Sequence, residues 1–458
     1  MKDLENGVQR SGQTFKLRPL HSLDPSPSLR VLLFIDRIMP IILHLDFNSY
    51  FASVEQQANP FLRGLPIAVA GKGRHSIDVA MAHRGSKRIT IDQLQFQRSV
   101  VTTASREAKK RGVKTAMGTW QARKICPEMF VIPGDPQKYG DLTARFMKIL
   151  RRYGDTVQQF STDEAFADIT CGSGGDYMGA VILAQRIRSD IAEECGEYCT
   201  VSIGIASNKF LAKLASESKK PNGLTCVQPH EAEDFVLTRP LADFCGIGHR
   251  IEKHLEKLGA TSVATLRRLP LSLLLHEFKS YGYFIYNSAR GLGSDELESE
   301  DDPKSVGNSY TFPHDLKSDD EIYQNLLALA DRVAWRMRKQ NFVATHIAGY
   351  VRYADFGGYG FHRRCKDPLI DGLEMANTAW EIMKEKIDIT QGVRLIGISV
   401  SGLLPIGGSD SLFEKERRKA RVLQALDKVT DKYGSGAWQR AGTMKTSFKE
   451  RVSGWHYD

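Results

Sequence analysis

The sequence predicts a multidomain α/β protein, and three observations carry that expectation. At 458 residues the chain is too long for one ordinary core. From Ile41 to Ser218 strand-like apolar runs alternate with helix-like segments, the pattern of a sheet with helices packed on it. From about Thr225 to Gly293 the pattern is helical, and residues 306–404 return to mixed strands and helices.

A strand over Ile41–Phe47 runs into a helix near Ser49–Gln57, closed by Asn59-Pro60 and Gly64. After Val100 come a strand and a helix over Ser105–Arg111, stopped by Gly112. A long helix near Tyr139–Tyr153 precedes an acidic strand pair, followed by a helix over Gly179–Cys195, a strand over Thr200–Ile205 and a helix over Lys209–Ser218. In CGIGHRIEKHLEKLG a Gly-Ile-Gly loop opens onto an amphipathic helix, and ELESEDDPKS reads as a polar linker. Beyond it, strands are expected at His346–Tyr353 and Arg394–Ser401, and helices at Asp320–Lys339 and Asp371–Lys386. No repeat of solenoid period is present.

Lys and Arg number 63 against 54 Asp and Glu, an excess of nine that favours a polyanionic partner without identifying one. Seven cysteines are scattered without a CxxC pair, which points to a reducing cytosol and a cytoplasmic protein. The most apolar early stretch, Val31–Leu45, is broken by Asp36, Arg37 and Pro40; no membrane span or signal peptide is expected.

Two short stretches carry the chemistry: LHLDFNSYFASVE with Asp46, and FSTDEAFADI with Asp163 and Glu164. Each acid sits in an apolar, aromatic-rich run, where an unpaired carboxylate is costly to bury. A set of carboxylates without a Cys or His ligand suits Mg²⁺ rather than zinc and leads to a two-metal phosphoryl-transfer site. Side chains alternate along a strand, so Asp163 and Glu164 must lie at a hairpin bend or bulge to reach one site. A buried salt-bridge cluster is the competing reading.

With these stretches, the strings NPFLRGLPIAV, VVTTASREAKKRGVKTAM, SIGIASNKFLAKLASESKKPNG, CGIGHR, KSVGNSYTF and GVRLIGISVSGL make the chain resemble the Y-family translesion DNA polymerases of the bacterial polymerase IV branch. The resemblance implies a right-hand polymerase: a palm at 39–57 and 118–224, fingers at 58–117 with an insertion near 73–98, and a helix-hairpin-helix thumb at 225–297. A linker at 298–305, an α+β little finger at 306–404 and a C-terminal tail at 405–458 complete it. Residues 1–38 match nothing in the pattern and read as an N-terminal extension.

By resemblance, Asp46 and Asp163 bridge two Mg²⁺, Glu164 helps place the primer-side ion, and the Phe47 carbonyl supplies another oxygen. Phe51, five residues after Asp46, matches the steric gate that excludes a 2′-hydroxyl, although a core aromatic is the commoner fate of such a residue. Tyr50 packs and offers its backbone amide to the triphosphate. Thr103, Arg106, Lys109 and Lys220 are expected on the triphosphate; the family carries Tyr and Arg where this chain has Arg106 and Lys109, so Lys109 lacks the bidentate fork. Gly246 and Gly248 offer backbone amides to a DNA phosphate, or form an ordinary turn.

In the last mixed region, Arg332, Arg336, Arg338 and Lys339, and Arg363, Arg364 and Lys366, could line a phosphate track or a solvated face. Ser409–Phe413 resembles a sliding-clamp peptide without its leading Gln, and a monomer is expected. The implied function is template-directed, low-fidelity DNA synthesis past damaged bases, with primer-template DNA and deoxynucleoside triphosphates as partners. Two rivals are a non-catalytic DNA-binding adaptor that recruits another polymerase, and a nucleotide cyclase on a related palm. The first could lose its carboxylates without penalty, and the second leaves the KPNG, hairpin and little-finger segments unexplained.

Overall fold

The computed structural model describes residues 39–70, 98–298, 302–406, 414–434, 437–444 and 446. The N-terminal extension, nearly all of the 73–98 insertion and the clamp-like Ser409–Phe413 lie outside them. The first eight strands are β1 (Ile42–Phe47), β2 (Ile67–Ala70), β3 (Val101–Ala104), β4 (Phe130–Ile132), β5 (Thr156–Gln159), β6 (Glu164–Asp168), β7 (Val201–Ala206) and β8 (Leu224–Cys226).

The principal sheet has the order β5-β6-β1-β7-β8. β1 lies at its centre, antiparallel to both β6 and β7, and all six of its residues are buried. Alternation divides them between two layers. Leu43, Leu45 and Phe47 join a core that also takes in Phe146 and Leu150 of helix Pro136–Leu150 and Ile187 and Ile191 of helix Tyr177–Cys195. Ile42 faces the other way, into a core with Leu211 and Leu214 of helix Lys209–Ser218. The helices begin where side chains accept the first free backbone amides: Asp135 from Lys138, Asp176 from Gly179, and Asn208 from Leu211.

A smaller sheet, ordered β3-β2-β4, has its own core of Ala68, Val101, Ala108, Ala122 and Met129. β4 pairs parallel with β2, and helix Thr119–Ile125 supplies Ala122 to that core. The small sheet runs through Ile132, its third strand following its helix in the chain, and β8 completes the principal sheet at Cys226.

Short helices follow, among them His249–Lys257, Val263–Arg268, Leu271–Phe278 and Tyr281–Ser288. They share the core of helix Lys209–Ser218, where the ring of Phe210 meets Phe244 edge-on at 5.1 Å.

The C-terminal sheet contains β9 (Ser305–Leu316), β10 (Phe342–Tyr353), β11 (Gly358–Leu369) and β12 (Val393–Pro405), ordered β11-β10-β12-β9 and antiparallel throughout. Helices Asp319–Lys339 and Gly372–Met383 cover it; Ile322, Leu326, Leu329, Val333 and Met337 form the buried stripe of the first.

The expected tail is in part a docked element. Helix Glu414–Tyr433 places Asp427 against Arg338, whose Nε and Nη2 donate to it at 2.7 and 2.6 Å, while Nη1 donates to the Ile370 carbonyl at 2.7 Å. Arg440 bonds Asp331 and Asp371. Arg338, with only 7% of its side chain exposed, is therefore removed from any phosphate track, and Arg336 donates to the Gly307 carbonyl.

Candidate active site

Asp46 and Glu164 are direct cross-strand partners in β1 and β6, so both side chains lie on one face. Asp163 precedes β6 in the turn from β5, and its carbonyl accepts from the Phe47 amide at 3.0 Å. The hairpin thus solves the alternation problem posed by adjacent acids.

Burial raises Asp46 from its ordinary 3.8 to about 7, with the charge of Asp163 adding to it against the pull of Lys220. Burial also raises Asp163, opposed by a hydrogen bond from Ser161. Glu164 behaves differently: burial would raise it, but His44 and Lys213 outweigh that effect and hold it at about 2.

Lys213 pairs with Glu164, while Lys220 Nζ stands 2.8 Å from Asp46 Oδ1 and 2.6 Å from Glu217 Oε1. Burial and the charge of Lys220 lower Lys109, with the charge of Asp46 acting the other way. Thr103 lies in β3, and Arg106 opens helix Arg106–Lys110, reaching across to donate to Thr200 Oγ1. Lys213 and Lys220 thus pair with the carboxylates, while Lys109 and Arg106 come from the helix of the small unit.

Tyr50 is buried, and its hydroxyl donates to the Tyr139 carbonyl at 2.8 Å. Phe51 is only partly buried, and its ring lies over Tyr139 with centroids 4.4 Å apart and planes at 32°. Tyr139 is itself fixed by donating to Glu55 Oε1 at 2.8 Å. Phe51 is therefore a partly exposed ring that packs against the core and is braced by Tyr139.

Gly246 has φ of 99°, and a Cβ there would fall 2.4 Å from the Tyr281 hydroxyl, so glycine is required. Gly248 caps helix His249–Lys257, its carbonyl accepting from Ile251 and Glu252. Neither glycine is shown against a phosphate.

Buried Asp46 and partly buried Asp163 are oxygen donors whose raised pKa values call for added positive charge, which fits a hard divalent cation. Among the described residues, however, no three His, Cys, Asp or Glu side chains gather closely enough to hold one ion, because Glu164 faces Lys213. The acids are also not free of histidine. His44 Nε2 stands 3.2 Å from Glu164 Oε2, and Nδ1 bonds Ser216 Oγ at 2.8 Å. Burial lowers His44 to about 4, which leaves the ring neutral at neutral pH.

Sequence reasoning missed Lys213 and His44. His44 was legible as the residue two before Asp46, hence on its face of β1, and Lys213 lies four residues before Glu217 on one helix face.

The model of the impB/mucB/samB family matches residues 45–217, and that of its C-terminal domain matches 303–412. Curated proteins named DNA polymerase IV are similar to the chain. That of Streptococcus pneumoniae serotype 2 is 32% identical over 361 residues, spanning 79% of this chain and 96% of the relative. That of Desulfatibacillum aliphaticivorans is 32% identical over 422 residues, spanning 90% and 99%. Among solved structures, a Y-family DNA polymerase chimera of Dbh and Dpo4 matches with a TM-score of 0.68 at 25% identity, over 80% of this chain and 99% of that one. An insertion ternary complex of Dbh DNA polymerase matches with a TM-score of 0.54 at 25% identity, over the same shares.

Proposed function

The chain belongs to the Y family of DNA polymerases, in the bacterial DNA polymerase IV branch, and on that footing we propose how its own residues carry the reaction. It is a template-directed DNA polymerase that copies past damaged bases, with primer-template DNA as its partner. Polymerases of this family use divalent metal ions. We assign two Mg²⁺ to Asp46, Asp163, Glu164 and the Phe47 carbonyl, a reading supported by the facing register of Asp46 and Glu164 with Asp163 in the adjoining turn. Glu164 would exchange Lys213 for the ion by turning within its own site.

The primer 3′-hydroxyl attacks the α-phosphate of a deoxynucleoside triphosphate, and pyrophosphate leaves. When bound, the ions neutralise charge that develops on the phosphates. Lys220, Lys109, Arg106 and Thr103 hold the triphosphate in line, joined by the Tyr50 amide. Phe51, braced by Tyr139, closes the space that a 2′-hydroxyl would need.

In this reading the principal sheet is the palm, the small sheet the fingers, the short helices with Gly246 and Gly248 a thumb gripping DNA phosphate, and the C-terminal sheet the little finger. Ser409–Phe413 is a sliding-clamp contact, and the chain works as a monomer in a bacterial cytoplasm; no helix among the described residues is long and apolar enough to cross a membrane. The retained carboxylates give the non-catalytic adaptor no support. The single observation that carries the assignment is the facing of Asp46 and Glu164 across β1 and β6, with Asp163 in the adjoining turn and Lys220 on Asp46. Primer extension on intact and damaged templates tests it: Asp163→Ala should bind primer-template normally and fail to extend, and near-parental extension would overturn the site.

A further inference from the structure

The hairpin between β10 and β11 ends in an aromatic side chain that the reaction above does not use. Phe356 is 64% exposed, and its φ of 70° lies in the left-handed region, which a bulky L residue adopts at a cost. The turn closes through its backbone: the Phe356 amide donates to the Tyr353 carbonyl at 3.1 Å, and the Tyr353 amide to the Gly357 carbonyl at 2.8 Å. Glycine or asparagine at 356 would make the same turn with less strain, so the turn does not account for phenylalanine. Burial does not account for it either.

A guanidinium lies against the ring. That of Arg394, from β12, is 4.5 Å from its centroid, and the charges of Arg98 and Arg352 bear on Arg394. Asp315 is engaged by Arg98, which donates to it at 2.6 and 2.9 Å, and Asp355, the residue before the ring, accepts from the Gly357 amide at 2.8 Å. Arg98 leads into β3 of the fingers sheet and Asp315 lies near the end of β9, so the exposed ring sits by a seam that joins fingers to little finger.

An open aromatic face beside guanidinium groups is the chemistry that takes single-stranded nucleic acid, with base on ring and phosphate on arginine, irrespective of sequence. Bases in a duplex are already stacked and paired, and the unpaired part of a primer-template is the template ahead of the primer. Resting on the assignment of this chain as a polymerase that holds primer-template DNA, we propose that Phe356 and Arg394 form a stacking platform for an unpaired template nucleotide 5′ of the templating base.

The test uses the full chain and three labelled substrates in anisotropy titrations: a primer-template with a 5′ template overhang, the same overhang carrying abasic sugars in place of bases, and a blunt duplex. The parent should prefer the normal overhang to the abasic one by about 5- to 10-fold, the scale of one stacked base. Phe356→Asn should erase that preference, leave blunt-duplex affinity unchanged and melt no lower than the parent, since the turn is relieved of strain. Phe356→Trp should retain the preference. A parent indifferent to abasic substitution, an Asn variant that keeps the preference, or equal loss on all three substrates would overturn the platform. A parent that binds none of them would instead sink the polymerase assignment.

Discussion

Replacing Asp46 with asparagine should kill synthesis while making the fold stronger. Asp46 is 8% exposed at the centre of a buried strand, and burial lifts its pKa from 3.8 to about 7. That displacement corresponds to at most about 4 kcal/mol of disfavoured charge at neutral pH. Substitution would not orphan Lys220, because Glu217 Oε1 remains 2.6 Å from its ammonium. The raised value already includes the pull of Lys220, and because asparagine cannot match every contact of the acid a net gain of about 1–3 kcal/mol for Asp46→Asn is expected near neutral pH in chelator-treated buffer. The sign follows from the raised folded-state value: the stability tied to protonated Asp46 is complete below its unfolded value and is lost as pH climbs through about 7. Asparagine does not titrate, so the gap between variant and parent should close near pH 3.8 and widen toward about 7. Urea denaturation across that interval reads it. Extension should fall by about 10³-fold or more, because the donor set for the ions is broken. A variant less stable than the parent at neutral pH, a gap independent of pH, or extension within about ten-fold of the parent would refute the reasoning.

Phe51→Ala removes the wall stacked on Tyr139 and should admit ribonucleotides; unchanged deoxy-over-ribo selection in single-nucleotide incorporation would return Phe51 to a packing role. Arg106→Ala and Lys109→Ala should raise the nucleotide KM more than the Kd for DNA, whereas a salt-dependent loss of DNA affinity with unaltered nucleotide KM would move them to the DNA backbone. Asp427→Ala should lower stability by about 2–3 kcal/mol, since it leaves the Arg338 guanidinium buried with a carbonyl partner but no counter-charge. A change of under about 0.5 kcal/mol in urea denaturation would show that the docked helix contributes little.

Much of the principal sheet was legible because its signals are local. The apolar run of β1, the helix over Lys209–Ser218, and the alternation that forces Asp163 and Glu164 to a bend can each be read within a few residues. β11 was not legible: it is an edge strand holding Gly358, Gly360, Arg363, Arg364, Lys366 and Pro368, and ladder pairing with β10 makes it a strand where propensity does not. β4 was not legible either, because its parallel pairing with β2 leaves no hairpin signal there. The Arg98–Asp315 bridge spans 217 residues, and only the folded arrangement brings its ends together. The same holds for Lys213 on Glu164, although the stripe Lys213–Glu217–Lys220 hinted at a charged helix face.

The docked C-terminal helix is part of the charge balance of the unit it packs on. β12 finishes at Pro405 and the helix begins at Glu414, and both belong to that unit through β10 on one side and Arg338 on the other. Shortening the chain after Ile406 would therefore do more than remove residues beyond the last strand. It would strip the counter-charges from Arg338, Asp331 and Asp371 together, turning a trimming intended to be silent into an unmasking of charges that the fold keeps neutralised.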